Sequence, residues 1–467
     1  MGGHIGAPHF RRDATGSGGA TPQAPDVTPR EAALAIWRAA LAVADVEPLV
    51  RSALRRDDDR LSCGALTLDL GRTSRVIVLG CGKAGAAMAR AVEAVLGDRV
   101  TEGFVVVKDG YTLPTRVVRL AEAGHPVPDR RGEAAAERIL ALAQRAGSDD
   151  LILFLVSGGG SALMPAPAPP VTLEEKQAVT RLLLAAGATI GELNAVRKHL
   201  SRLKGGQLAR AAVPARVLTL LLSDVIGDPL DVIASGPTAP DPTTFADALA
   251  VLDRRGVLDR VPTSVKDRLT TGARGEIPET PKPGDRLFAG VTHVVIGNNK
   301  LVVEAAARTA EDLGYRARIV THGRQGEARD AGRDLVAEGR LVSPPACLVA
   351  GGETTVTVRG PGRGGRCQEL ALAAALELRT DEGFVVLAAG TDGTDGPTDA
   401  AGAVVDAGTT GRGRAAGLDP RRSLAENDAY AFLRASGDLV VTGPTNTNLL
   451  DLYVVLRPAA HPIGGAV

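Results

Sequence analysis

Short, nearly continuous apolar runs at 75–79, 104–107, 151–156 and 217–222 punctuate the chain, each of strand length and without the spaced apolar positions of a helix. Between them lie stretches of helical period opened by capping signals. Thr28-Pro29-Arg30-Glu31 precedes the run 32–55, and Asp129 precedes a helix over 130–146 closed by Gly147. Thr172 and Thr189 are each followed three residues later by Glu, the capping-box spacing. Apolar strands alternating with helices predict parallel sheets covered on both faces. The segment 271–290, rich in Gly, Pro and charge, interrupts this rhythm. It restarts with strands at 293–296, 346–350, 384–388 and 439–441. The pattern predicts two α/β lobes with a cleft between them, one over 28–270 and a smaller one over 291–467, joined by the linker 271–290. Residues 1–27, rich in Gly, Pro and Arg but without an apolar h-region, read as a disordered tail rather than a secretory signal.

Composition narrows the classes of function. Hydrophobic residues are 44% and charged residues 23% of the 467, ordinary for a globular protein and incompatible with a wholly disordered chain. The 54 basic residues balance 54 acidic ones, and aromatics are 3%. Neither a basic field nor stacking platforms for nucleic acid are therefore expected. No apolar run approaches the ~20 residues that span a bilayer, so no membrane partner is expected. Four cysteines without a CxxC pair suit a reducing, cytoplasmic setting. A small-molecule substrate is the predicted partner, and the chain leaves room for a homodimer.

Glycine is the outlier, at 56 residues against a usual ~7% of a chain. The glycines gather where strands end: GCGKAG (80–85), SGGGSA (157–162), SDVIGD (223–228), GNN (297–299), GGETT (351–355), GTDGTDGPTD (390–399) and TGPTNTN (442–448). Backbone N–H groups at such turns form anion sites, and in open parallel sheets ligands sit outside the carboxyl ends of strands. Candidate phosphate or substrate contacts are Gly82, the loop Ser157, Gly158, Gly159, Gly160 and Ser161, then Asn298 and Glu353. Gly80-x-Gly82-x-x-Gly85 fits a dinucleotide loop, but the acidic residue expected about 20 positions on is missing. Lys83 stands inside that loop in a chain of 8 lysines and 46 arginines. The Walker sequence is absent, since Ala84 follows Lys83 and Ile77 replaces its first glycine. Arg366 enters a predicted helix from a glycine loop and offers a planar fork for an anion. Asp224, Asp228, Asp392 and Asp395 all follow strands, where they would hold magnesium, orient a hydroxyl or cap turns. Lys198 and Lys204 read as a solvated helix face, with anion contact as the alternative.

Taken together, GCGKAG, SGGGSAL, NAVRKHLSRLKGGQLA, SDVIGDPLDVIASGPTAPD, GGETTVTV-x-GPGRGGR-x-QE and GTDGTDGPTDAAGA resemble the glycerate 2-kinase family, in order and over about residues 30–455. The resemblance implies a Rossmann-like N-terminal domain, a smaller C-terminal α/β domain of the MOFRL type, and an active site in the cleft. It implies transfer of phosphate from ATP, with Mg2+, to the 2-hydroxyl of glycerate. The family's lysine falls on Lys83 and its arginine on Arg366, with Cys367 where an asparagine is common. On this reading Lys83, Arg366 and Asp224 are catalytic and Asp392 and Asp395 bind the metal. An NAD(P)-dependent hydroxypyruvate reductase is the rival, and a catalytically inactive anion sensor a third reading.

Overall fold

In the computed structural model, which describes residues 27–459, the chain begins with helix α1 (Pro29–Ala42), opened by a complete capping box on Thr28. The tail expected at 1–27 lies, apart from Val27, outside the described residues. The first sheet holds six strands: β1 (Arg75–Cys81), β2 (Val100–Lys108), β3 (Val118–Ala123), β4 (Asp150–Val156), β5 (Arg216–Leu222) and β6 (Val291–Gly297). Their spatial order is β3-β2-β1-β4-β5-β6, with every neighbouring pair parallel. The order reverses between β1 and β4, which pair in register down to Cys81 beside Val156. Both following loops thus leave the sheet at one level and part there, which opens the crevice used by doubly wound sheets. Helices α2 (Gly85–Leu96), α3 (Leu173–Ala185) and α4 (Ile190–His199) belong to this lobe.

The second lobe holds α5 (Asn299–Asp312), α6 (Arg366–Glu377) and the strands β7 (Arg316–Arg324), β8 (Ala346–Gly352), β9 (Val385–Gly390), β10 (Gly402–Asp406), β11 (Leu439–Val440) and β12 (Asp451–Arg457). Their order is β7-β8-β12-β9-β10-β11. Only β7 and β8 are parallel; every other pairing is antiparallel. The expected all-parallel second sheet is thus corrected. The last strand runs backwards between β8 and β9, setting Asp451 level with both Gly352 and Gly390.

The lobe boundaries also differ from expectation. β6, expected to open the C-terminal lobe, pairs with β5 and completes the first sheet. Residues 271–290 therefore return within the first lobe and cannot be a linker or hinge between lobes. α1, expected in the first lobe, packs instead on α5, β9, β10 and β12, and Arg30 pairs with Asp438 at 2.7 Å. The chain changes lobes after α1 and again between β6 and α5. Apolar packing crosses with it: one cluster runs from Ile36 and Trp37 through Val78 and Leu153 to Val303, Leu387 and Val454. Ile36 is fully buried, which contributes roughly 1.5–3 kcal/mol.

Candidate active site

The loops after β1 and β4 are tied to each other before they hold anything else. Lys83 N–H donates to the Gly158 carbonyl at 2.9 Å, and Ala84 N–H to Ser157 Oγ at 3.0 Å. Gly82 adopts φ +131°, and a Cβ there would collide with Ser157. The Lys83 backbone is thereby fixed, and its side chain extends toward the second lobe. There its Nζ donates to Asp392 Oδ2 at 2.9 Å, both side chains being 14% exposed. Asp392 follows β9 and also accepts from Thr394 N–H at 3.0 Å. Burial pulls the Lys83 ammonium down, but Asp392 and Asp224 outweigh it and hold it above its ordinary value. Burial likewise opposes the Asp392 carboxylate, which Lys83 and Thr394 hold below the usual range.

Arg366 opens α6 and faces the start of β12. Its Nε donates to Asp451 Oδ2 at 2.6 Å and its Nη2 to Asp451 Oδ1 at 2.9 Å. Nη1 reaches Glu353 Oε1 at 2.9 Å. Asp451 is buried and Glu353 half exposed, so the first partner orients the guanidinium and the second can yield to an incoming anion. Asp224, just past β5, completes the ring. Asn448 Nδ2 donates to its Oδ2 at 3.0 Å from the loop before β12. Burial pushes the Asp224 carboxyl up to about 6, with Glu353 and Asp392 adding to the effect and Lys83 opposing it. Gly158 leaves room for this pair, since a Cβ there would overlap both Asp224 and Asn448.

Lys83, Asp224, Glu353, Arg366 and Asp392 line one cavity of about 410 Å³ between the lobes, together with Lys108, His125 and Gly159. Burial, then Lys83 and Lys108, brings His125 down to about 4, so its imidazole is neutral near pH 7.

Other expected site residues are committed elsewhere. Asn298 caps α5 through Leu301 N–H and donates to Asp228 at 2.6 Å, so it is a structural cap and not a substrate contact. Asp395 borders the cavity, yet its two oxygens accept the Cys367 and Gln368 N–H groups of α6 at 3.1 and 2.8 Å. It anchors that helix, with Cys367 taking part through its backbone. Ser157 and Gly160 are buried in the loop's own packing. Neither Lys198 nor Lys204 is solvated: both are 1% exposed. Lys198 pairs with Asp231 and Asp241 at 3.0 and 3.2 Å. Asp451 and Lys108 were not anticipated from the sequence, and Asn448 only as part of the loop 442–448; a charged residue immediately ahead of the apolar run 452–456 is the one signal that marked Asp451.

The carboxylates facing the cavity are hard oxygen donors of the kind magnesium takes alongside phosphate oxygens. Among the described residues no three His, Cys, Asp or Glu side chains converge as a complete metal cage. Among the described residues no helix is long and apolar enough to cross a membrane, and all four cysteines are buried and free.

Residues 32–270 match the model of a domain of unknown function, DUF4147, and residues 346–451 that of the MOFRL family. A glycerate 2-kinase from Pyrococcus horikoshii is 40% identical over 91% of this chain and 97% of its own length. A protein of Agrobacterium vitis with the provisional name of hydroxypyruvate reductase is 46% identical over 82% of this chain and 87% of its own. Among solved structures, glycerate kinase from Thermotoga maritima matches with a TM-score of 0.79 and 41% identity, covering 92% of this chain and 99% of that one.

Proposed function

The chain belongs to the glycerate kinase family, and on that footing we propose that it transfers the γ-phosphoryl group of ATP to the 2-hydroxyl of glycerate, giving 2-phosphoglycerate and ADP in the cytoplasm. The observation that carries the reading is the convergence of Lys83 and Arg366, from different lobes, on a single cavity that also holds Asp224 and Asp392. Phosphoryl transfer asks the protein chiefly for positioning and charge neutralisation. Lys83 and Arg366 supply the positive charge for the phosphoryl oxygens as the bond from glycerate O2 to phosphorus forms and the bond to the β-phosphate oxygen breaks. Asp224 accepts the hydroxyl proton; a carboxyl poised at about 6 is suited to general-base work near neutrality. Asp392 would hold Mg2+, which neutralises phosphate charge when bound.

The reductase alternative fares worse on the same geometry. A dinucleotide fold places its ribose-binding acid at the end of the second strand. Here β2 ends in Lys108, which faces the cavity, and the neighbouring Asp109 pairs with Arg131 on the surface.

The test is incubation with ATP, Mg2+ and each glycerate enantiomer, separating 2- from 3-phosphoglycerate. Lys83→Ala should lower kcat by about a thousandfold, the scale of a cation acting on the transferred phosphoryl. Near-normal turnover by that variant, or 3-phosphoglycerate as the product, would overturn the assignment. Consumption of NADH with hydroxypyruvate would restore the reductase.

A further inference from the structure

A second cavity of about 410 Å³ adjoins the first and shares His125, Pro126 and Gly159 with it, so the two are chambers of one groove. Four cations line the second chamber: exposed Arg181 and, deeper, Lys176 of α3, Arg197 of α4 and Lys204 in the turn beyond. Lys176 is 7% exposed and Lys204 1%. Lys204 donates to Ser161 O at 2.8 Å and Ser161 Oγ at 2.9 Å. The only side-chain hydrogen bond of Lys176 among the described residues is a long one, 3.4 Å, to the Leu200 carbonyl. Arg197 makes none there, and no described carboxylate pairs with any of the deeper three.

This is not how the same fold treats a structural lysine. Lys198, one position beyond Arg197, is as deeply buried and meets two aspartates. Desolvating a charge without a partner is strongly unfavourable, and three like charges crowded together compound it. Burial depresses all three groups, and their mutual repulsion adds to this at Lys176 and Lys204. A ligand carrying several negative charges would relieve the whole cluster at once. Glycerate carries only one. The mouth of the chamber is apolar, with Val127 60% and Leu184 56% exposed beside buried Leu173, which suits a flat base more than a second charged group.

We propose that this chamber seats the nucleotide. Its α- and β-phosphates lie on Lys176, Arg197 and Lys204, and its base lies against Val127, Leu173 and Leu184. Its γ-phosphoryl end passes the neck at His125 and Gly159 toward Lys83 and Arg366. The proposal rests on the kinase reading for the identity of the ligand, but its test separates the two.

ADP binding is measured by calorimetry, without glycerate, on the full chain and on Lys176→Met and Arg197→Gln, together with KM for ATP and for glycerate. Each variant should weaken ADP binding and raise KM for ATP by about tenfold or more, the loss of one charge-assisted contact, with KM for glycerate unmoved. Lys176→Met, relieved of an unpaired buried charge, should also melt higher than the parent when no nucleotide is present. Half-buried Arg197 gives a readout that does not depend on how Lys176→Met folds. Unchanged ADP affinity in both variants, no ADP binding by the parent, or a rise confined to KM for glycerate would overturn the nucleotide chamber. If the protein binds ADP with these losses yet phosphorylates no glycerate, the chamber stands and the activity assignment falls.

Discussion

Asp224 illustrates how far a single partly buried charge can be read. Its carboxyl is displaced upward, so below about pH 3.8 it is protonated in both folded and unfolded chains and carries no penalty. Between about pH 3.8 and about 6 the unfolded chain has given up this proton while the folded one keeps it, so stability falls across that window by roughly 3 kcal/mol and levels off above it. Asp224→Asn keeps the shape and cannot ionise. It should melt higher than the parent at about pH 8, with the gap closing toward pH ~4, while glycerate phosphorylation is lost. Thermal melts at the two pH values check the first part, and a parent kcat/KM that does not decline below about pH 6 would remove Asp224 as the base. Lys83 and Arg366 could be singled out in the sequence because glycine loops isolate them from ordinary helix faces. Asp451 could not, for an aspartate ahead of a strand reads as a turn residue until its pairing across the fold is known. Lys176 left a fainter trace: it occupies the apolar stripe of α3 between Leu173 and Val179, where a solvated lysine has no place.

Among elements, those written in local signals were the readable ones. The capping boxes at Thr28, Thr172 and Thr189 are all formed, and the apolar strands of the first sheet lie where alternation with helices placed them. Strands with mixed or polar faces escaped notice, β3 and β7 among them, since at a sheet edge one side need not be apolar. The insertion of β12 between β8 and β9 leaves no local mark either, because its partners lie about 60 and 100 residues upstream and register is settled by packing. The loop after β4 offers the sharpest test at this scale. Gly158→Ala places a methyl on Asp224 and Asn448, so the carboxylate must shift. A shift of about 1 Å suffices for a hundredfold loss of kcat. The expected result is that loss in a protein whose circular dichroism matches the parent's, and an unimpaired kcat would show that Asp224 need not be held where Gly158 lets it lie.

Across the whole molecule, cavity and core obey one geometry. The switch point of the first sheet faces the β8, β12 and β9 ends of the second, so anion loops and carboxylates from distant sequence meet in one space. Beneath them a continuous apolar cluster joins both lobes. Two lobes on a flexible linker would melt separately; lobes sharing a core should not. Scanning calorimetry is therefore expected to give one transition with calorimetric and van 't Hoff enthalpies in agreement, and two resolved transitions would contradict a shared core. The seating of α1 against β9, β10 and β12 carries a consequence for biosynthesis. The earliest described helix has its berth among the last described strands to be made, β12 being the last of them. Before those strands are made only α5 of the described elements is there to cover α1, and a transcript cut short before codon 451 yields a product with neither a complete second sheet nor an anchored Arg366.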